Sequence, residues 1–178
     1  YTGGLFGSDM STAEATDSSN IVIGKDTVIK GDISTAGVVG KTWSGLTNCV
    51  SYANVVGSGN FTNGIAQTGG KSVFYSNCMN YGDVNGADYV AGITSTNSKP
   101  SGASEIKVEN CYNLGNISST KETVNIGAIS YMTANLFTVA NSYNLGTVKD
   151  LSGDKAQFNA NDTYTNVAYN SENGIAAA

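Results

Sequence analysis

Asn110-Cys111-Tyr112-Asn113-Leu114-Gly115-Asn116-Ile117 decides the fold, because its pattern returns along the chain. Asn48-Cys49-Val50-Ser51-Tyr52, Asn77-Cys78-Met79-Asn80-Tyr81 and Asn141-Ser142-Tyr143-Asn144-Leu145 repeat its opening, at steps of 29, 33 and 31 residues. About six residues after each leading Asn comes a second element: Asn54-Val55-Val56-Gly57, Asp83-Val84-Asn85-Gly86, Asn116-Ile117-Ser118-Ser119 and Thr147-Val148-Lys149-Asp150. A third element precedes each Asn: Gly4-Leu5, Gly37-Val38, Gly64-Ile65, Gly92-Ile93 and Ala128-Ile129. Repeats of this length are the mark of a stacked architecture, in which no unit can bury its apolar face alone.

Apolar residues do not recur at helical spacing, and Thr, Val, Ser, Asn and Gly fill every window, so strands are the default. Strands of four or five residues, bounded by Gly, Asn, Asp and Ser turns, can stack coil on coil at about 4.8 Å. The expectation is an all-β parallel β-helix (β-solenoid) of about five coils, each of about 30 residues with three short strands, and right-handed by the usual crossover preference. The N-terminal stretch joins through Asn20-Ile21-Val22-Ile23 and Asp26-Thr27-Val28; residues 150–178 read as a degenerate last coil or cap.

The inward set expected is Leu5, Val38, Ile65, Ile93 and Ile129, then Cys49, Cys78 and Cys111, then Val28, Val55, Val84, Ile117 and Val148. The Asn48, Asn77, Asn110 and Asn141 column can pass side-chain amide hydrogen bonds between coils. The glycine column supplies either close backbone packing or positive φ.

The 178 residues include 22 Gly and one Pro, with 13% charged and a net charge of −5. That is one domain of ordinary size, spanning 1–178 as a single β-solenoid unit and read as a fragment of a larger protein. The nine basic residues are all Lys and stand singly, which disfavours nucleic acid as a partner. No apolar run reaches the roughly 18 residues of a membrane span, so insertion of this segment is not expected.

The chain has no His, no CxxC and no nucleophile-elbow motif, so neither a metal site nor a serine triad is expected. The acidic residues are dispersed, and Asp26 and Asp83 share a turn slot with Asn54 and Asn116, where turn formation is the simpler use. The three cysteines fill one slot that Ser142 takes in the next coil, which favours small buried hydrophobes over a redox pair. No enzyme and no cofactor are expected.

Binding candidates are aromatic. Trp43, in the 41–45 insertion, and Tyr52 and Tyr81 offer flat apolar faces of the kind that stack on sugar rings. Tyr52, Tyr81, Tyr112 and Tyr143 recur in or beside one slot, so a packing role competes with ligand contact.

Gly3-Gly4-Leu5-Phe6-Gly7 and Ala36-Gly37-Val38-Val39-Gly40, alternating with the Asn-Cys-Tyr-Asn-Leu-Gly-Asn-Ile segment, resemble the GLUG-motif repeats of bacterial secreted and cell-surface proteins. These include adhesin-like chains and regions of immunoglobulin A proteases. The resemblance covers roughly residues 1–149, and later copies such as Asn63-Gly64-Ile65-Ala66 lack the closing Gly. It implies an extracellular repeat segment for adhesion or spacing, with host glycoprotein or glycan and flanking domains of the same chain as partners. The alternative is a carbohydrate-binding accessory module of a larger secreted enzyme.

Overall fold

The computed structural model describes residues 1–9, 18–19, 21–71, 73–103, 105–122, 125–133, 137–154, 162–171 and 174–177. Coil 1 comprises β1 (Thr2–Gly3), β2 (Phe6–Asp9), β3 (Ser18–Ser19), β4 (Val22–Ile23) and β5 (Val28–Gly31). Coil 2 repeats the order with β6 (Thr35–Ala36), β7 (Val39–Thr42), β8 (Leu46–Thr47), β9 (Val50–Ser51) and β10 (Asn54–Gly57). Coil 3 follows with β11 (Asn60–Asn63), β12 (Ala66–Thr68), β13 (Phe74–Ser76), β14 (Met79–Asn80) and β15 (Val84–Gly86). Coil 4 holds β16 (Asp88–Ala91), β17 (Thr94–Ser95), β18 (Ile106–Glu109), β19 (Tyr112–Asn113) and β20 (Ile117–Ser119). Coil 5 holds β21 (Ile126–Gly127), β22 (Ser130–Tyr131), β23 (Phe137–Ala140), β24 (Tyr143–Asn144) and β25 (Val148–Asp150). A partial sixth coil follows as β26 (Gly153–Asp154), β27 (Thr163–Thr165), β28 (Ala168–Ser171) and β29 (Gly174–Ala177).

Through the first five coils nearly every strand pairs in parallel with its counterpart in the next, as in β4-β9-β14-β19-β24-β28 and β5-β10-β15-β20-β25; the exception is the ladder after the Gly-Ile slot, which is split into β2-β7-β12 and β17-β22. The fold is therefore all-β and a parallel β-solenoid of about five turns. Each coil carries five short strands, two more than the three elements that the sequence marks. The added ladders, β1-β6-β11-β16-β21 and β3-β8-β13-β18-β23-β27, precede the Gly-Ile and Asn-Cys slots. They change composition from coil to coil (Thr35–Ala36 against Asn60–Asn63; Leu46–Thr47 against Phe137–Ala140), so repeat counting misses them.

The Asn corner column is where it was expected. Asn48, Asn77, Asn110, Asn141 and Asn166 all hold φ between 49° and 55°, a left-handed turn that Asn tolerates better than other side-chain-bearing residues. Asn77 Nδ2 donates to Asn48 Oδ1 at 3.1 Å, and Asn166 Nδ2 to Asn141 Oδ1 at 2.8 Å. After the corner, burial alternates strictly: Cys49, Ser51, Ala53, Val55 and Gly57 face in, while Val50, Tyr52, Asn54 and Val56 face out.

Val38, Ile65, Ile93, Ile129, Cys49, Cys78, Cys111, Val55, Val84, Ile117 and Val148 are buried as expected. Two members of the inward set are not. Leu5 is 48% exposed because, among the described residues, β2 is an edge strand with no partner on its far side. Val28 is 53% exposed because it pairs with outward Asn54, and Ile29, its neighbour, pairs with Val55 and points inward. The same register shows that Val28, not Asp26, stands in the slot of Asn54 and Asp83; Asp26 turns the chain two residues earlier with φ 58°.

The lumen is divided. Val55, Val84, Ile117 and Val148 pack with Val90, Ile126 and Ala128, apart from a larger cluster built around the Val38-Ile65-Ile93-Ile129 and Cys columns. Near this division runs a buried amide column that the sequence did not announce: Asn80 Nδ2 donates to Asn113 Oδ1 (2.7 Å), and Asn113 Nδ2 to Asn144 Oδ1 (2.6 Å). Each also donates within its own turn, to the carbonyls of Gly82, Gly115 and Gly146. These side chains abut the backbone of the glycine column: a Cβ on Gly64 would lie 2.4 Å from Asn80 Cγ and 2.0 Å from the Gly92 carbonyl oxygen. Gly37, Gly64 and Gly92 have ordinary negative φ, so close packing, not a left-handed turn, demands glycine there.

Candidate functional site

The outward face of the β4-β9-β14-β19-β24-β28 sheet carries two parallel columns of apolar side chains. Register sets Val22, Val50, Met79, Tyr112, Tyr143 and Ala168 in one. Two residues on in each coil, Tyr52, Tyr81, Leu114 and Leu145 form the other, each amide bonded to the carbonyl one coil back. The inward Asn of each Cys-x-Asn or Ser-x-Asn step sets its neighbours outward, since successive strand side chains take opposite faces.

Tyrosine changes column halfway up. Tyr52 and Tyr81 stack with ring centroids 4.6 Å apart and planes at 19°; Tyr112 and Tyr143 stack at 4.3 Å and 27°. The coil spacing of about 4.8 Å is close to the centroid separation of offset-stacked rings, so tyrosines in identical slots of adjacent coils stack with a modest tilt. Lys25 Nζ sits 5.6 Å from the Tyr52 ring centroid, at the open end of that pair, and Tyr81 Oη reaches Met79 Sδ at 3.8 Å. Within each of the two pairs one ring face meets the other, so each tyrosine has one face covered by its partner.

Polar ladders border the strip on both sides. One is the Asn48-Asn77-Asn110-Asn141-Asn166 corner. In the other, Asn54 Oδ1 accepts from the Asp83 amide (2.9 Å), Asp83 Oδ1 from the Asn116 amide (2.8 Å) and Asn116 Oδ1 from the Thr147 amide (3.1 Å). Asp83 thus serves as a turn acceptor. The two columns themselves contain no charged residue.

Of the three aromatic candidates, the structure brings Tyr52 and Tyr81 together and leaves Trp43 elsewhere. Trp43 follows β7, separated from Tyr52 by β8 and the Asn48 corner. Its ring is half-buried, with Lys41 Nζ 4.8 Å from its centroid, and the same ammonium lies 5.7 Å from the Tyr1 ring. Gly70 packs against its backbone, where a Cβ would stand 2.9 Å from Trp43 Cα. Sequence reasoning missed Val50, Met79, Leu114 and Leu145 as surface residues. The period-2 alternation around the buried Asn was the signal that could have found them.

The cysteine slot is a buried column of unbridged thiols, continued by Ser142. Cys111 Sγ donates to the Glu109 carbonyl, and Ser142 Oγ accepts the Cys111 amide at 3.0 Å while donating to the Ala140 carbonyl. Hydrogen bonding with Cys78, then burial, pushes the Cys49 thiol far above its ordinary range. Hydrogen bonding with Cys111, with burial, does the same to Cys78. Thiols held this strongly protonated are poor nucleophiles and poor metal ligands. Beside them, Tyr75 Oη forms a closed set with Thr68 Oγ1 (3.1 Å), Thr94 Oγ1 (3.0 Å) and the Ala66 carbonyl (3.3 Å), and burial raises its phenol pKa too.

Fold and surface together define a β-solenoid repeat protein with an apolar strip along one wall. The chain matches no protein-family model, no curated protein and no solved structure.

Proposed function

We propose that this chain is an extracellular bacterial surface repeat segment that presents the outward Tyr/Leu/Met strip as a binding face for adhesion, held at a distance by the stacked coils. The observation that carries the reading is the strip itself: an uncharged apolar centre between two rows of polar side chains. That is the anatomy of a recognition surface, with a desolvated centre and a wet rim. Its neutrality suits a host glycoprotein or another uncharged protein surface better than an acidic or basic partner. The similarity to GLUG-motif repeats supports an extracellular setting.

The alternative, a carbohydrate-binding accessory module, rests on Trp43 with Tyr52 and Tyr81. The geometry favours it less. A sugar stacks on an open ring face, whereas Tyr52 and Tyr81 each cover one face of the other, Lys25 lies by the Tyr52 ring and Lys41 sits over Trp43.

Binding of the purified chain to arrayed glycans and extracellular-matrix proteins tests both readings, beside Tyr81→Ala/Tyr143→Ala and Trp43→Ala variants. A protein ligand lost at least tenfold with the tyrosine pair and kept with Trp43→Ala is expected. A soluble glycan lost with Trp43→Ala would hand the function to the accessory-module reading.

A further inference from the structure

The outward wall of coils 2 to 5 is laid out as a checkerboard. In coils 2 and 3 the first column holds Val50 and Met79 and the second Tyr52 and Tyr81. In coils 4 and 5 the first holds Tyr112 and Tyr143 and the second Leu114 and Leu145. Tyrosine thus fills two diagonal quarters, each with its own ring stack, and aliphatic side chains fill the other two. The interior does not call for the change of column, since Ser51, Asn80, Asn113 and Asn144 run buried along one line behind all four coils.

The layout has a use against a partner that carries the same face. Two sheet faces pack about 10 Å apart, and the gap fills evenly where a large side chain meets a smaller one. A two-fold axis along the strand direction, midway between coils 3 and 4, keeps each column over itself and inverts the order of the coils. Tyr52 then meets Leu145, Tyr81 meets Leu114, Tyr112 meets Met79 and Tyr143 meets Val50. Every tyrosine faces an aliphatic side chain. Tyrosine kept in one column through all four coils would instead set ring against ring.

We propose that the partner of this face is a second copy of the chain, docked wall to wall with the two solenoid axes antiparallel. The proposal rests on the reading of the strip as a recognition surface and names what it recognises. Outside the strip, the same axis sets Asp83 over Asn116 and Asn54 over Thr147, so the carboxylate meets an amide and not its own copy. In the next column Asn85 falls over Ser118 and Val56 over Lys149.

The size of the wall suits such a contact. Four outward columns about 6.6 Å apart, over the height from β4 to β28 at about 4.8 Å a coil, give about 600 Å² on each copy. Two copies together clear the roughly 1,000 Å² that a specific interface needs. A two-fold axis along the solenoid would also match tyrosine with aliphatic side chains, by laying the first column on the second. It leaves the Val56 and Asn85 column outside the contact. Antiparallel axes are the geometry of copies reaching toward each other from two facing surfaces, which makes the adhesion homophilic.

Sedimentation equilibrium of the chain tests this beside Tyr81→Glu, Leu114→Lys and their equimolar mixture. Positions 81 and 114 face each other across the two-fold axis, so either charge alone is buried against an apolar side chain. The mixture pairs carboxylate with ammonium at one contact and restores Tyr81 on Leu114 at the other. The unaltered chain is expected to dimerise, each variant to bind itself at least tenfold more weakly, and the mixture to recover to within about threefold as a one-to-one heterodimer. A mixture no better than its parts overturns the proposal, as does a dimer that neither substitution weakens. A monomer at about 1 mM overturns it too. The glycan and matrix-protein arrays then separate two cases. A ligand lost with Tyr81→Ala/Tyr143→Ala keeps the strip as a binding face for a foreign partner, whereas silence removes the binding face as well.

Discussion

At the scale of single residues, buried polar groups stay buried here because the stack pairs them with their own repeats. The Asn80-Asn113-Asn144 column satisfies most of its amide chemistry internally, but it starts abruptly: Asn80 Oδ1 and Ser51 Oγ are both buried without a partner. Ser51→Asn extends the column by one coil, since Gly37 leaves against residue 51 the room that Gly64 leaves against Asn80. The new amide reaches Asn80 Oδ1 on one side and the Ala53 carbonyl on the other. A gain of about 1 kcal/mol is expected, read as a higher urea midpoint at constant slope. A lower midpoint would show that the first coil cannot accept the larger side chain. The thiols give a second residue-scale prediction. Because the folded state holds Cys49 and Cys78 protonated beyond their ordinary value of 9.0, it binds more protons than the unfolded chain above that pH. Stability is therefore fully present below about pH 9 and falls as pH rises further, with Tyr75 adding to the loss above about pH 10. A Cys49→Ala/Cys78→Ala variant should lose the part of the slope between pH 9 and 10, whatever its stability at neutral pH. An unchanged slope in thermal scans across that range would mean that the thiols are not the titrating groups.

At the scale of the strand and its turn, each slot is defined by what sits one coil above and below. Gly64 shows this most sharply: Gly64→Ala drives a methyl into the Gly92 carbonyl and Asn80, and should cost about 3 kcal/mol as overpacking against backbone. Ala128 fills the same column naturally, because β21 and β22 end their sheets and no described strand stacks on them. Circular dichroism melts of Gly64→Ala beside Ala128→Gly check the contrast; similar losses from both would refute the stacking account. The slots themselves were legible in the sequence, since the Asn-Cys and Gly-Ile signatures recur wherever a corner or a close approach forces one residue type. The β1 and β3 ladders were not, because an ordinary strand position accepts Thr, Leu, Phe, Ile or Asn alike. The outward strip was half legible: Tyr52 and Tyr81 stood out, whereas Leu114 and Leu145 have the composition of a core.

At the scale of the whole molecule, neighbouring coils touch only each other, so stability spreads along one dimension. Among the described residues, the strands of coil 1 pair on one side only and its core residues are exposed, while coils 2 to 4 have a coil on either side. Native-state hydrogen exchange should rank accordingly, with the β4 and β5 amides opening well below the free energy of global unfolding and those of β9, β14 and β19 close to it. Uniform protection from end to end would mean that the chain opens as one cooperative unit. By itself the sequence determined that this is a parallel β-solenoid and which residues mark its corners, because a turn or a glycine contact tolerates few residue types and so repeats visibly. Only the tertiary structure decided which residues are inside coil 1, that asparagines cross the lumen, and that an apolar strip faces out. Those depend on register, where a shift of one residue turns Val28 out and Ile29 in, and register is fixed by stacking between coils rather than by any one coil alone.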